Sequence, residues 1–421
     1  MKKVLIISPY FSPANAADMQ RVRMSLPYFE EFGWQAEVVK VKNEAYDISL
    51  DHLLLESIPK HIIVHEVKAL SKKYTSKLGL GSIALRSLWY YLIYVNKLLK
   101  STHFDLIYFS TTQFPVCICG AYWKKKFGIP YVIDMQDPWH STYYLDKPKH
   151  QRPPKYWFSY RLNKWLEPIA MRNVSGLISV SQAYLDTIEE RYPITKFIPK
   201  MVITFGAFKK DFDIALKFHS QLRPAIEKSE GEIKIVYIGR GGHDMRKAVI
   251  LLLNEFKKLL LSDHLKFQQF KFYFVGTSYA PKGKGVKTIE PIAQEMGLAN
   301  YVVEQTDRIS YYESLRTLKE ADALIVLGSD DPQYTASKIY PYILAEKPLL
   351  GIFNSASSAF QIIKDCKAGF LSSLENEDDF EIKLFLNSIF NKPVEVNWAK
   401  FKTYSAEEMT KNQCLIFNEI I

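Results

Sequence analysis

The sequence predicts an α/β protein of two doubly wound, mostly parallel sheets, each in its own domain. Three observations carry this reading. Lys3–Ser8, Pro9–Asp18, Met19–Phe32 and Ala36–Val41 run as apolar segment, polar loop, helix pattern ending at Gly33, and apolar segment, which is a βαβ opening. The same alternation restarts at Lys234–Ile238, after the weakly periodic, mixed-charge stretch Phe205–Gly231 that reads as the connection. A chain of 421 residues also exceeds what one core normally holds. The boundaries drawn are residues 1–205, residues 206–395, and a terminal segment 396–421. Its helix, Ser405–Ile421, is expected to dock on one of the sheets, a return to the first domain being one option.

The remaining elements follow in order. Ser82–Lys100 is the most apolar long segment, with Leu85, Leu88, Leu92, Val95 and Leu99 at spacings of three and four. That stripe predicts a helix packed on the sheet. Trp89, Tyr90, Tyr91 and Tyr94 also suit a membrane interface, so a helix lying on a membrane is a second reading and a spanning helix a third. Asp105–Ser110 and Pro130–Asp134 read as strands around the helix Val116–Phe127. Tyr156–Arg172 is a helix, Gly176–Val180 a strand, Gln182–Arg191 a helix capped by Ser181, and Met201–Thr204 the last strand of the first half. Beyond the connection come the helix Ala248–Leu261, the strand Lys271–Val275, the helix Glu290–Met296, the strand Tyr301–Glu304, the helix Tyr311–Lys319 and the buried strand Ala321–Leu327.

Composition narrows the function classes. The four cysteines are too few for a disulfide framework, and Cys117 and Cys119 form a lone C-x-C, so all four read as reduced and structural. The basic, apolar start MKKVLIISPYF is too short for a signal peptide and continues as a strand and turn, which predicts a cytoplasmic setting. Residues 1–205 hold 27 basic against 17 acidic residues, so the whole net charge of +10 lies there. That half is expected to face something anionic: a membrane surface such as the inner face of the cell membrane, a lipid phosphate or nucleic acid. With no zinc-finger spacing or RNA-reading motif, nucleic acid is not expected as a partner.

Two regions stand out for chemistry. After Ala321–Leu327 comes GSDDPQYTASKIYPYILAEKPLL, a loop leading into a short helix at the end of a parallel strand, which is a natural anion site. Ser337 would cap that helix, Lys338 would add a charge, and Pro341 places the helix start near Ser337–Tyr340. Asp137, Pro138, Trp139 and His140 form a polar and aromatic cluster at another strand end. Asp211 and Asp213 match a D-x-D string by chance in the connection, and His61 and His65 sit in a β-branched run, so no metal is expected.

IDMQDPW at Ile133–Trp139, IVYIGR at Ile235–Arg240, the strand and loop Ala321–Ser329, and SKIYPYILAEKP at Ser337–Pro348 stand in this order. Together they resemble the GT-B glycosyltransferases, most closely family four of the retaining enzymes, across nearly the whole chain. The resemblance implies two Rossmann-like domains with mostly parallel sheets facing across a cleft, the first on the acceptor side and the second on the donor side. The sequence departs from the family at Gln333 and Pro341, which stand where glutamates are usual, at Glu346 in place of a glycine, and at Asn15–Ala16–Ala17 in place of paired glycines.

The implied activity is retaining transfer of a sugar from a nucleoside diphosphate to a glycan or lipid-linked acceptor in cell-surface polysaccharide synthesis. Peripheral contact with an anionic membrane is a separate expectation, drawn from the basic first half and the aromatic helix, and no cofactor or metal is expected. Arg240 and Lys338 are the expected diphosphate clamp, with Asp137 and His140 at the acceptor or sugar hydroxyls. Donor contacts are expected from Gly239, Gly241, Gly242, Lys247, Gly276, Asp331, Tyr334, Thr335, Ser337 and Tyr340. Acceptor-side contacts are expected from Ser12, Asn15, Thr111, Thr112, Gln113 and Trp139. A nucleotide-sugar epimerase of the same plan and a non-catalytic glycan-binding homologue are the competing readings.

Overall fold

The structure is a computed structural model of residues 1–421, described here except for 143–144, 146–147, 150–151, 153–154, 228–229, 330–335, 376–379 and 390–394. Chain contacts divide it into two compact units, Met1–Gly206 with Ala406–Ile421, and Ala207–Ser405.

The first unit holds a seven-stranded parallel sheet of order β3-β2-β1-β4-β5-β6-β7. Its strands are β1 (Lys2–Ile7), β2 (Trp34–Val41), β3 (Ile63–Val67), β4 (Leu106–Ser110), β5 (Tyr131–Met135), β6 (Gly176–Ser179) and β7 (Lys200–Val202). Helices cover both faces, which is why β4 and β5 are buried along their whole length and read as unbroken runs rather than alternating ones. On one face lie the helices Ile83–Ser101, Ile118–Phe127 and Tyr156–Met171, packed over Leu5, Ile7, Val39, Ile107 and Phe109. Tyr91, Val95 and Leu99 of the first helix are buried there, and the Tyr91 hydroxyl donates to Val39 O at 3.2 Å. The helix therefore packs on the sheet, and no helix among the described residues is long and apolar enough to cross a membrane.

The other face receives the helix Ala406–Ile420. Its Phe417 ring lies 5.1 Å from Tyr108, 5.4 Å from Trp34 and 6.4 Å from Phe29. Residues 396–405 stay with the second unit.

The second unit holds a six-stranded parallel sheet of order β10-β9-β8-β11-β12-β13. Its strands are β8 (Ile233–Ile238), β9 (Phe270–Val275), β10 (Val302–Gln305), β11 (Ala323–Leu327), β12 (Leu349–Phe353) and β13 (Phe370–Ser373). Both sheets thus reverse their winding beside their first strand, at β1/β4 and at β8/β11. In open α/β sheets the crevice beyond the carboxyl ends at that reversal is where ligands bind.

Several local expectations change. The helix expected over Met19–Phe32 runs only Gln20–Ser25, followed by a 3-10 turn Glu30–Phe32, because Pro27 lacks an N–H and interrupts the ladder. The connection contains a helix, Lys210–Lys217, on which Asp211 is buried and accepts from the hydroxyls of Tyr311 and Tyr312 at 2.8 and 3.1 Å. Ser181 takes the N-cap position of the helix Gln182–Arg191 without a side-chain cap bond, whereas the N-cap position after Ser337 belongs to Lys338, also without one. All four cysteines are buried free thiols.

A buried ion pair ties the first unit together. Arg21 Nε lies 2.8 Å from Asp134 Oδ2, both side chains fully buried, and off-line for a hydrogen bond, so a charge pair holds them. The guanidinium also donates to the carbonyls of Ile203 and Thr204 at 2.8 and 3.1 Å, joining the Gln20–Ser25 helix to the segment after β7. Replacing Arg21 with Met leaves the Asp134 carboxylate buried without its charge partner, with only the neutral donors Tyr108, Ser110 and Gln136, and should cost about 3–5 kcal/mol. Urea unfolding of Arg21→Met against the parent checks this; equal midpoints would refute the assignment.

Candidate functional site

The carboxyl end of β8 builds the site in the second unit. The Tyr342 hydroxyl accepts from Ile238 N–H at 2.6 Å and donates to Ile238 O at 3.1 Å, so both backbone groups at the strand end are satisfied by one side chain. Tyr342 sits on the short helix Ile339–Leu344, with Lys338 at its N-cap. The chain then turns through Gly239 at φ 155° and Gly242 at φ 159°. A Cβ at 239 would come 2.4 Å from Lys338 Nζ, and one at 242 would come 2.6 Å from Asp244 Oδ1. Glycine is therefore favoured at both positions by conformation, while the close atoms are the ends of flexible side chains.

Charge gathers around this turn. Lys338 Nζ donates to the Tyr237 hydroxyl at 2.7 Å and lies 4.5 Å from the centre of that ring. The Tyr237 hydroxyl in turn donates to Arg240 O at 2.7 Å. Arg240 holds Asp244 in a two-pronged pair, 3.0 Å to Oδ1 and 2.5 Å to Oδ2. Burial, then the Arg240 charge, push the Lys338 amine down to about 7, against a smaller upward pull from Asp244. Burial raises the Asp244 carboxyl, but Arg240 and the Ser329 hydroxyl outweigh it and hold it below the ordinary range.

A second buried carboxylate stiffens the floor. Glu304 accepts from the Thr277 hydroxyl at 2.7 Å and from the N–H groups of Thr288, Ile289 and Glu290 at 3.1, 2.8 and 2.9 Å. Gly241 N–H donates to Thr277 O at 2.8 Å, so the turn rests on this anchored segment.

The structure thus brings Gly239, Arg240, Gly241, Gly242 and Lys338 together. Gly276, at φ 74°, turns the chain just before Thr277. Lys247 is exposed in the first turn of the helix Arg246–Ser262, and Ser337 is exposed too. Tyr340 is buried, with its ring 6.1 Å from Tyr404. Asp331, Tyr334 and Thr335 lie outside the described residues. Sequence reasoning missed Tyr237, Asp244, Ser329, Glu304 and Tyr342, which act through tertiary contacts that no local spacing announces.

In the first unit, Asp18 occupies the crevice at β1/β4. Its Oδ2 accepts from Thr111 Oγ1, Thr112 N–H and Thr112 Oγ1 at 2.9, 3.0 and 3.1 Å. Burial pulls its carboxyl upward against these bonds. Gln136 Nε2 reaches Asp18 O, Ser110 Oγ and Asp134 Oδ2 at 3.2, 2.9 and 2.9 Å. Asp137 follows, solvent-exposed at its surface, and the crowding around it, then the Asp18 charge, push its carboxyl up to about 6. Asp18 and Gln136 were not singled out from the sequence, although Gln136 lies inside the IDMQDPW stretch.

The other expected residues there have varied surroundings. Gln113 N–H donates to Thr111 Oγ1 at 2.9 Å. Trp139 is buried, stacked 5.4 Å from Phe114, with its indole N–H on Asn163 Oδ1 at 3.2 Å. His140 is buried against Tyr160, with ring centres 4.6 Å apart, and neither ring nitrogen has a hydrogen-bond partner among the described residues. Burial, then Arg191 and Lys164, push the imidazole down to about 4, so it is neutral near pH 7. Ser12 is buried with its hydroxyl on Met19 Sδ at 3.7 Å, and Asn15 N–H donates to Ser49 O at 2.9 Å. Among the described residues no three or more His, Cys, Asp or Glu side chains are grouped to hold a metal ion.

Comparison with known proteins bears on the family and the fold. Residues 62–204 match the model of Glycosyltransferase Family 4. No curated protein matches the sequence. Among solved structures, HepE of Anabaena, in complex with UDP, aligns over 100% of both chains at 17% identity with a TM-score of 0.59. A UDP-forming α,α-trehalose-phosphate synthase from Burkholderia xenovorans aligns over 100% of this chain and 99% of its own at 10% identity, TM-score 0.61. WaaG, a glycosyltransferase involved in lipopolysaccharide biosynthesis, aligns over 98% and 99% at 12% identity, TM-score 0.55. The chain has the GT-B fold and resembles the family-four glycosyltransferases, which supports a transferase enzyme.

The lowered Lys338 amine gives a direct test. An amine is nucleophilic only when neutral, so at pH 8 Lys338 should be acylated faster than lysines titrating near 10.4. Competitive labelling with trace acetic anhydride, read by peptide mapping, checks this. A Lys338 rate no higher than that of exposed Lys247 would remove the basis for the lowered value.

Proposed function

We propose that this GT-B-fold chain is a retaining glycosyltransferase, moving a sugar from a nucleoside diphosphate to a glycan or lipid-linked acceptor in cell-surface polysaccharide synthesis. The observation that carries the reading is the Arg240–Lys338 pair of cations, held by Tyr237 around a glycine turn at the β8/β11 reversal. A departing diphosphate concentrates negative charge, and pre-placed cations and N–H groups in a partly dry site stabilise it most. UDP in the HepE structure and the role of WaaG in lipopolysaccharide biosynthesis support the donor and acceptor classes.

In this reading the bond from the sugar C1 to the diphosphate oxygen breaks while a bond from C1 to the acceptor oxygen forms on the same face. The leaving phosphate oxygen takes the acceptor proton, so the protein contributes positioning and charge rather than a base. Arg240 and Lys338 neutralise the leaving group, and Asp244 orients the Arg240 guanidinium. The reaction is proposed to need no resident metal.

Incubation with UDP-, GDP-, ADP- and TDP-sugars should show hydrolysis or transfer from a UDP-sugar that chelator does not diminish. Lys338→Ala should lower the rate by roughly 10²–10³-fold. Folded protein silent across the panel overturns the reading, and loss of activity with chelator overturns the metal-free form. The pH dependence has a definite sign. Lys338 is charged below about 7 and neutral above it, so UDP affinity should fall by up to about tenfold per pH unit from about 7 towards 9. Titration calorimetry of the parent and of Lys338→Met, which should give a flat profile, checks this.

A further inference from the structure

The helices Ile83–Ser101, Ile118–Phe127 and Tyr156–Met171 pack side by side on one face of the seven-stranded sheet. Asn96 Nδ2 on the first donates to the Tyr122 hydroxyl on the second at 3.2 Å, and the Tyr131 hydroxyl beneath them donates to Ala170 O on the third at 2.6 Å. Their inner sides are core. Their outer sides carry large aromatics facing water: Trp89 is 67% exposed, Trp157 64% and Trp165 66%. Trp157, Arg161 and Trp165 recur every four residues and so form one stripe, with the Arg161 guanidinium 5.5 Å from the Trp157 ring centre.

The charge on these faces has one sign. Lys97, Lys125, Lys126, Arg161 and Lys164 are exposed there. The only acidic side chain on the three helices is Glu167, which is fully buried and bonded to Arg191 and Tyr192. An ordinary soluble surface mixes both signs and seldom exposes three tryptophans. Indole rings with long cationic side chains are the chemistry that settles at a lipid headgroup layer, apolar parts inward and charges on phosphate.

We propose that this three-helix face docks the protein on an anionic phospholipid surface. The surface extends beyond Ile83–Ser101, the one segment whose sequence suggested a membrane interface. It fits the lipid-linked acceptor proposed above, but it stands on exposure and charge that are independent of the donor site.

The test is flotation of the full chain with vesicles of phosphatidylcholine alone or with about a third phosphatidylglycerol, at low and high salt. Binding should require the anionic lipid and weaken with salt. The double variant Lys125→Glu with Lys126→Glu should lower partitioning by about tenfold or more. Trp157→Ser with Trp165→Ser should remove the binding that survives high salt. UDP-sugar hydrolysis in solution should be unchanged in both variants. Equal binding to neutral vesicles, or full binding by both double variants, overturns the proposal, as does retention on single-stranded RNA without vesicle binding. Vesicle binding by a protein that hydrolyses no nucleotide sugar supports the docking face while overturning the transferase reading.

Discussion

A single phenol oxygen at the end of β8 holds the donor-type site in register. Tyr342 bonds both backbone groups of Ile238, so the last residue of the central strand is fixed to the short helix that begins beside Lys338. The ammonium then fills the space that any side chain at 239 would need. Tyr237 supports it from below and passes the contact on to the Arg240 carbonyl. Strand end, glycine turn, two cations and two tyrosines form one interdependent unit. Burying the ammonium, and then setting it near the Arg240 guanidinium, is unfavourable in the absence of an anion, and the lowered Lys338 amine expresses that cost.

Much of this fold is legible in the chain because parallel strands buried on both faces leave unbroken apolar runs, such as ALIVL at Ala323–Leu327. The order of elements and the loops at strand ends followed from those runs. The site was legible only where loop position and residue type coincide, as at Arg240 and Lys338. Asp18 escaped notice because its partners Thr111 and Thr112 lie more than ninety residues away, and only the adjacency of β1 and β4 brings them together. Pro27 and the Lys210–Lys217 helix show the opposite failure, where local pattern was overruled by a missing N–H in one case and by tertiary bonds from Tyr311 and Tyr312 in the other.

The two units handle charge differently. In the second, several cations have a nearby acid, as in Arg240 with Asp244, Arg246 with Glu295 and Arg316 with Glu320, and the unit is close to neutral. In the first, Asp134 and Glu167 are drawn into the interior by Arg21 and Arg191, so those acids do nothing to soften the outer helices. The excess of positive charge is therefore a property of particular faces, not of the unit as a whole.

The return of Ala406–Ile420 to the first sheet means that the second unit is inserted within the first. During synthesis the N-terminal sheet emerges early but waits, with the socket of Phe29, Trp34 and Tyr108 unfilled, until Phe417 has left the ribosome. The earlier-made unit is the later one to finish folding, and a nascent chain stalled before Phe417 emerges would expose that aromatic socket to chaperones.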